Sequence, residues 1–251
     1  MSVANSARFL MVGSGKGGVG KSLATIGTAA ALARSGQRVG VLDLDVRAPN
    51  LTYLLGIPDA AEMMPDGSPV PRRVVMPGQP PVHVFSPAML FREGASILMG
   101  GSALRSLVTD MVNTVAWPEL DWLVIDMDPA PGDSLRAVRD AARDVSGLVV
   151  TTPDRTSVED ARRMLDAFAD LGVRRVGLVG NMVGMRCPHC LETILNGSTL
   201  GDMVAVAGEF RVPLLARLPW DVGLHDDPVR ATTGPFATDF EEIARAAMRL
   251  G

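Results

Sequence analysis

Residues 13–22 read GSGKGGVGKS, and they constrain the fold more than any other stretch of the chain. Gly15 to Ser22 fits the pattern G-x-x-x-x-G-K-S. In such a loop the glycines turn successive backbone N–H groups inward around a phosphate, Lys21 brings a cation to the terminal phosphates, and Ser22 sets a hydroxyl on Mg²⁺. The loop needs a strand to deliver it and a helix whose N-terminus faces the anion. Both are legible here: the apolar run RFLMVG precedes it, and a helical pattern opens at Lys21.

The rest of the chain repeats that alternation. RVGVLD, VHVFS, DWLVID, GLVVTT, RRVGLVGN and PLLARLP read as strands, and several are apolar almost throughout, as strands buried on both faces are. Amphipathic stretches lie between them at Lys21 to Arg34, Gly101 to Ala116, Ser157 to Leu171 and Ala237 to Leu250. The expected fold is therefore α/β, a three-layer P-loop NTPase fold with a mostly parallel central sheet and helices on both faces. A length of 251 residues suits one domain of this kind, 1–251. The Pro- and Gly-rich stretch at about 56–81 reads as a surface excursion or hairpin within it.

Two acidic segments suit a nucleotide site. VLDLDVRAPNL sets Asp43 and Asp45 at the carboxyl end of the second strand, where ligands sit in open α/β sheets. Carboxylates there can orient a water for attack on a γ-phosphate or hold water around Mg²⁺, although a lone Asp at such a place would equally cap the next helix. DWLVIDMDPAPGD ends a buried strand on Asp126, the place for a carboxylate that binds the Mg²⁺ shell. Asp133 reads as a cap or turn residue.

Both cysteines of the chain, Cys187 and Cys190, fall in the segment 184–192, GMRCPHCLE. A tetrahedral metal or an iron–sulfur cluster normally takes four protein ligands, and the chain has three histidines in all, with His83 and His225 in no ligand spacing. Either a second molecule completes the site, or the pair serves redox chemistry or inert packing. His189 with Pro188 shapes the turn. C-P-H-C also occurs as a dithiol motif, but in a thioredoxin-like setting that this chain does not build.

Taken together, the motifs carry a family resemblance. K-G-G-V-G-K-S resembles the deviant Walker A loop of the MinD, ParA, nitrogenase iron protein and Mrp group of ATPases. DLDVRAPN, DMDPAPGD and GNMVGMRCPHC, with TTPDRTSVEDARRMLDAF and LARLPWDVGLHDDPVRATTGPF, narrow it to the Mrp/ApbC type of iron–sulfur carrier ATPase. The resemblance covers nearly the whole ATPase domain and implies an ATP/ADP site built from Gly15, Lys16, Gly17, Gly18, Val19, Gly20, Lys21, Ser22 and Leu23. It implies Asn181 on the adenine edge with Pro219 and Asp221 beside the base, and Mg²⁺ near Ser22, Asp43 and Asp126. It further implies Asp45 as the water-activating residue and Lys16 reaching the partner's nucleotide in an ATP-dependent homodimer. Across that dimer Cys187 and Cys190 of both copies would bridge a [4Fe–4S] cluster, or Zn²⁺ in its place, for transfer to apo iron–sulfur proteins. Asp128, Ala130 and Pro131 depart from the family pattern in the second switch, as Ala48 and Asn50 do in the first and the string MGGS at 99–102 does before the fourth strand.

Composition sets the remaining expectations. A formal net charge of −4 offers no general attraction to nucleic acid or acidic lipid. No run is long enough for a signal segment or a membrane span, and the last helix lacks a basic face, so a cytoplasmic protein without membrane or nucleic-acid partners is expected. The rival is a partitioning or positioning switch of the ParA/MinD kind, its cysteines binding zinc or serving redox chemistry.

Overall fold

Hydrophobic runs that are apolar at every position must be covered from both sides, and the chain does this with one sheet between two helical layers. The computed structural model describes residues 3–46, 48–58, 60–90, 101–187, 189–190, 192–195, 200–221, 223–224 and 227–249. Pro188 of the cysteine turn, His225, Leu250 and the first half of the MGGS string lie outside them.

After a short helix α1 (Val3–Ser6), strand β1 (Arg8–Gly13) leads through the glycine loop into α2 (Lys21–Arg34), and β2 (Val39–Asp43) follows, then α3 (Leu51–Leu55). The 56–81 excursion folds as β3 (Glu62–Met63), β4 (Pro69–Val70) and β5 (Arg72–Val74). Beyond it come β6 (Val82–Phe85), α4 (Gly101–Thr114), β7 (Trp122–Asp126), α5 (Asp133–Ala141), β8 (Val145–Thr151), α6 (Arg155–Asp170) and β9 (Val176–Gly180). A small hairpin, β10 (Gly184–Arg186) with β11 (Thr193–Leu195), precedes α7 (Leu200–Phe210), β12 (Leu214–Arg217) and the closing helix α8 (Gly234–Arg249).

The main sheet has eight strands in the order β12-β9-β8-β1-β7-β2-β6-β5. All neighbours are parallel except β5, which runs antiparallel to β6 at the edge. Within the 56–81 stretch, β5 closes one edge of the sheet. Alternation along β1 divides the core. Phe9 and Met11 face a layer filled from α4, α5, α6 and α7, while Leu10 and Val12 face a layer filled from α2 and α8.

Helix α2 is buried almost from end to end, because its run of Thr and Ala is small enough to lie close to both the sheet and α8. At Gly27 the approach is tightest: an added Cβ would stand 2.5 Å from the Phe240 ring. On α8 the expected apolar face is present, with Phe240, Ile243, Ala244 and Ala247 all buried. No helix among the described residues is long and apolar enough to cross a membrane.

Candidate functional site

Three strand ends meet at one level. In the sheet register Val12 pairs with Asp126 across β1 and β7, and Asp126 pairs with Asp43 across β7 and β2. The loop leaving β1 therefore passes directly over two carboxylates. Its backbone can turn there only because of its glycines: Gly15 has φ 78° and Gly20 has φ 86°. Side chains are excluded for a second reason. A Cβ on Gly15 would meet the Asp160 carbonyl at 2.1 Å, and one on Gly20 would meet the Asn181 amide nitrogen at 2.2 Å.

Lys21 and Ser22, the first residues of α2, turn back onto the β7 carboxylate. Lys21 Nζ lies 2.7 Å from Asp126 Oδ1, and Ser22 Oγ donates to Asp126 Oδ2 at 2.6 Å. One turn along the same helix face, Thr25 Oγ1 donates to Asp126 Oδ1 at 3.0 Å. Asp45 Oδ2 stands 3.7 Å from the same ammonium. Lys21 and Asp126 are both buried, so their ion pair is taken out of water and is held by the hydroxyl donors around it.

Asp43 sits behind this cluster and is wholly buried. It accepts N–H groups of Asp45 at 3.1 Å and Leu51 at 3.3 Å, and the Ser86 hydroxyl at 3.1 Å. Burial, with Asp126 beside it, pushes its carboxyl up to about 8 against the pull of Lys21 and the two N–H groups. Burial also raises Asp45; Lys21 opposes this, and Asp128 and Asp126 add to it. Asp128 itself accepts the Ser134 hydroxyl at 2.9 Å.

Lys16 points elsewhere. Its Nζ lies 3.1 Å from Thr156 Oγ1, 3.4 Å from Ser157 Oγ and 3.5 Å from Asp154 Oδ1, all at the start of α6. Burial would raise the Asp154 carboxyl, but hydroxyl donors from Ser157, Thr152 and Thr156 hold it well below the usual carboxylate range. Asn181, at the end of β9, is buried and donates its Nδ2 to the Val19 carbonyl at 2.8 Å. Pro219, two residues past the end of β12, is buried, and Asp221 closes a turn by accepting the Gly223 N–H at 2.8 Å.

A cavity of about 800 Å³ opens over the loop, lined by Lys16, Gly17, Gly18, Gly20, Lys21, Ser22 and Leu23. Its far wall is formed by Asp45, Asn50, Tyr53, Asp128 and Met182. No neighbour comes within 4 Å of where a Cβ on Gly17 or Gly18 would stand, so a phosphate can approach the bare backbone there. The hydroxyl of Ser22 and the carboxylate of Asp126 are hard oxygen donors already in contact, a fit for Mg²⁺, which keeps its other positions for phosphate and water.

The two cysteines lie outside this cavity on the β10–β11 hairpin. Gly184 to Arg186 pair antiparallel with Thr193 to Leu195, and the Cys187 N–H donates to the Glu192 carbonyl at 2.9 Å. Cys187 is half-buried, Cys190 is exposed, and both are free thiols. N–H groups of Cys190 and His189, with the Cys190 side chain, lower the Cys187 thiol from its ordinary value. Among the described residues no group of three or more His, Cys, Asp or Glu could hold a metal.

Several contacts here were not read from the sequence. Thr25 carries a legible signal, four residues after Lys21 on one helix face; Ser86, just past the end of β6, carries one only once the strand order is known. The contacts of Lys16 join residues about 140 apart and have no local signature.

Comparison with known proteins bears on the family and the fold. Residues 5–247 match the family described as ParA, NUBPL iron-transfer P-loop NTPase. An iron–sulfur cluster carrier protein of Helicobacter pylori is 35% identical over 216 residues, which are 86% of this chain but 57% of that protein's length. The human cytosolic Fe–S cluster assembly factor NUBP2 is 36% identical over 222 residues, 86% of this chain and 80% of its own. A carrier protein of Pyrococcus furiosus is 33% identical, covering 92% and 82%. Among solved structures, a nucleotide-binding protein of Archaeoglobus fulgidus in complex with ADP superposes with TM-score 0.71 at 25% identity, covering 95% of this chain and 88% of that one. The Pyrococcus furiosus cell division ATPase MinD shares the fold with TM-score 0.68 at 19% identity, covering 98% and 100%.

Proposed function

Because the chain belongs to the NUBPL-type iron-transfer P-loop NTPases of the ParA group, we propose that it works as an ATP-binding homodimer that carries a [4Fe–4S] cluster between two copies. The cluster is cargo, delivered to apo-proteins. The observation that carries this reading is an incomplete site: one chain offers two free cysteines on one hairpin, while the described residues offer no group of three metal-binding side chains. Four thiolates, the usual complement of such a cluster, require a second copy.

The nucleotide half follows from the loop. Lys21 takes the terminal phosphates in exchange for part of its contact with Asp126, and Ser22 and Asp126 would hold Mg²⁺, which would neutralise phosphate charge there. Asp45 orients the attacking water, and its raised proton affinity suits a group that accepts a proton as the water attacks. Asp43 fixes the loop bearing Asp45 through that residue's N–H. Asn181, Pro219 and Asp221 flank the base. In the lone chain Lys16 rests on Thr156, Ser157 and Asp154, and in the dimer it turns to the partner's nucleotide. Carrying a cluster on thiolates requires reduced cysteines, which suits a reducing compartment such as the cytoplasm.

Transfer tests the reading. Protein loaded anaerobically with iron and sulfide, then desalted, should restore activity to an apo-enzyme that needs a [4Fe–4S] cluster, and Cys187→Ala/Cys190→Ala treated identically should not. Equal restoration by both would overturn the carrier role.

A further inference from the structure

The residue before Cys187 is an arginine, and its side chain is in an unusual place. Arg186 is only 9% exposed, although it sits on a two-stranded hairpin. Its guanidinium lies 4.3 Å above the Phe236 ring and its Nη2 reaches Asp239 Oδ2 at 3.5 Å, both residues on α8. A guanidinium has five N–H donors. Among the described residues, the buried Nε and Nη1 find no hydrogen-bond partner here. Buried donors left unmet are unfavourable, so this pairing is a loose one that a small shift of α8 can tighten or break.

The contacts continue in both directions. One turn further along the same face of α8, the Phe240 ring lies against Gly27 in the middle of α2, the helix that opens with Lys21 and Ser22. On the hairpin, the Arg186 N–H donates to the Trp220 carbonyl at 2.9 Å and the Trp220 N–H donates to the Gly184 carbonyl at 2.7 Å. Trp220 stands between Pro219 and Asp221. The strand that leads into the cysteine pair is thus held by a side chain from α8 and by backbone from the base-flanking segment.

We propose that Arg186 is a positioning residue that couples the phosphate-loop helix, through α8, to the cysteine hairpin, so that nucleotide binding changes the exposure of Cys187 and Cys190. This rests on the nucleotide site proposed above but not on which metal or cluster the thiols carry. Nucleotide contacts at the head of α2 shift α8, and Arg186 passes that shift to the hairpin. A side chain that only stabilised the fold would leave thiol reactivity equally indifferent to nucleotide with or without it.

The test uses the full reduced chain under anaerobic conditions. Its only two thiols are alkylated with iodoacetamide and followed by mass, with and without saturating Mg-ADP. The wild type should change its alkylation rate about fivefold or more on binding ADP. Arg186→Met and Asp239→Asn should bind ADP as the wild type does, yet show less than about a twofold response, and Arg186→Lys should recover part of it. A wild type with no response, or an ADP-binding Arg186→Met with the full response, would overturn the coupling. So would loss of ADP binding in both variants, which would make Arg186 a general support of the fold. If the chain binds no iron at all but the Arg186-dependent response persists, the carrier reading falls and the coupling stands.

Discussion

At the scale of single residues, the two lysines of one loop divide the work by where they point. Lys21 is buried on Asp126, whereas Lys16 is half exposed on the head of α6. Lys21→Ala removes a charge-assisted contact to phosphate and should weaken ADP binding by about 10- to 100-fold. Lys16→Ala should leave ADP affinity unchanged and lose the ATP-induced increase in mass measured by light scattering; a dimer of unchanged stability would refute its action in trans. Asp43 gives a pH signature. Its folded pKa, about 8, lies above the ordinary carboxylate value, so the native state holds a proton that the unfolded chain releases. The associated stability is complete at about pH 4 and is lost as pH rises through about 8. The thermal midpoint of the nucleotide-free protein should therefore fall by roughly 4 °C or more between pH 6 and pH 8.5. Asp43→Asn should flatten that slope, and a slope that is the same in both proteins would rule out Asp43 as its source.

At the scale of elements, what was legible in the sequence is what is local. All seven apolar runs read as strands are strands, and Lys21 to Arg34 is a helix with the expected ends, because the glycine loop fixes where it begins. Less legible were α5 and α7. The nine residues Asp133–Ala141 of α5 sit inside a segment that reads first as a switch loop, and α7 follows closely on the cysteine segment, whose ligand pattern dominates the reading there. Within the Pro- and Gly-rich stretch β5 pairs antiparallel with β6 across the 75–81 turn, and what the text of the chain does not show is that this pair forms the edge of the main sheet. The placement of the acidic residues was similarly divided. That Asp43 and Asp126 end strands is visible in the text of the chain; that these strands are neighbours in register is not. Contact between α2 and α8 is of the same non-local kind. Gly27→Leu should drive a side chain into Phe240 and destabilise the fold by about 1–3 kcal/mol, read from the urea midpoint. An unchanged midpoint would mean the two helices do not meet there.

At the scale of the whole molecule, the sheet separates two functions that the family combines. The proposed phosphate site lies at the carboxyl ends of β1, β2 and β7 at its centre, and the thiols stand on a hairpin inserted after β9 near one edge. The described side chains of one copy assemble the first site nearly in full, while the second is left with half the ligands of a four-coordinate centre. In the proposed dimer symmetry would resolve that deficit, since a two-fold axis beside the hairpin would turn two thiolates into four. Zn²⁺ accepts the same four sulfurs, and only the metal content separates the two cargos. The decisive measurement is anaerobic reconstitution with iron and sulfide, reading iron per chain together with mass in solution for the wild type and Cys187→Ala/Cys190→Ala. About four irons per dimer in the wild type, lost in the double variant, is the expected result for a shared [4Fe–4S] cluster. A wild type that stays iron-free, binds zinc alone, or holds the same iron as the double variant would contradict it.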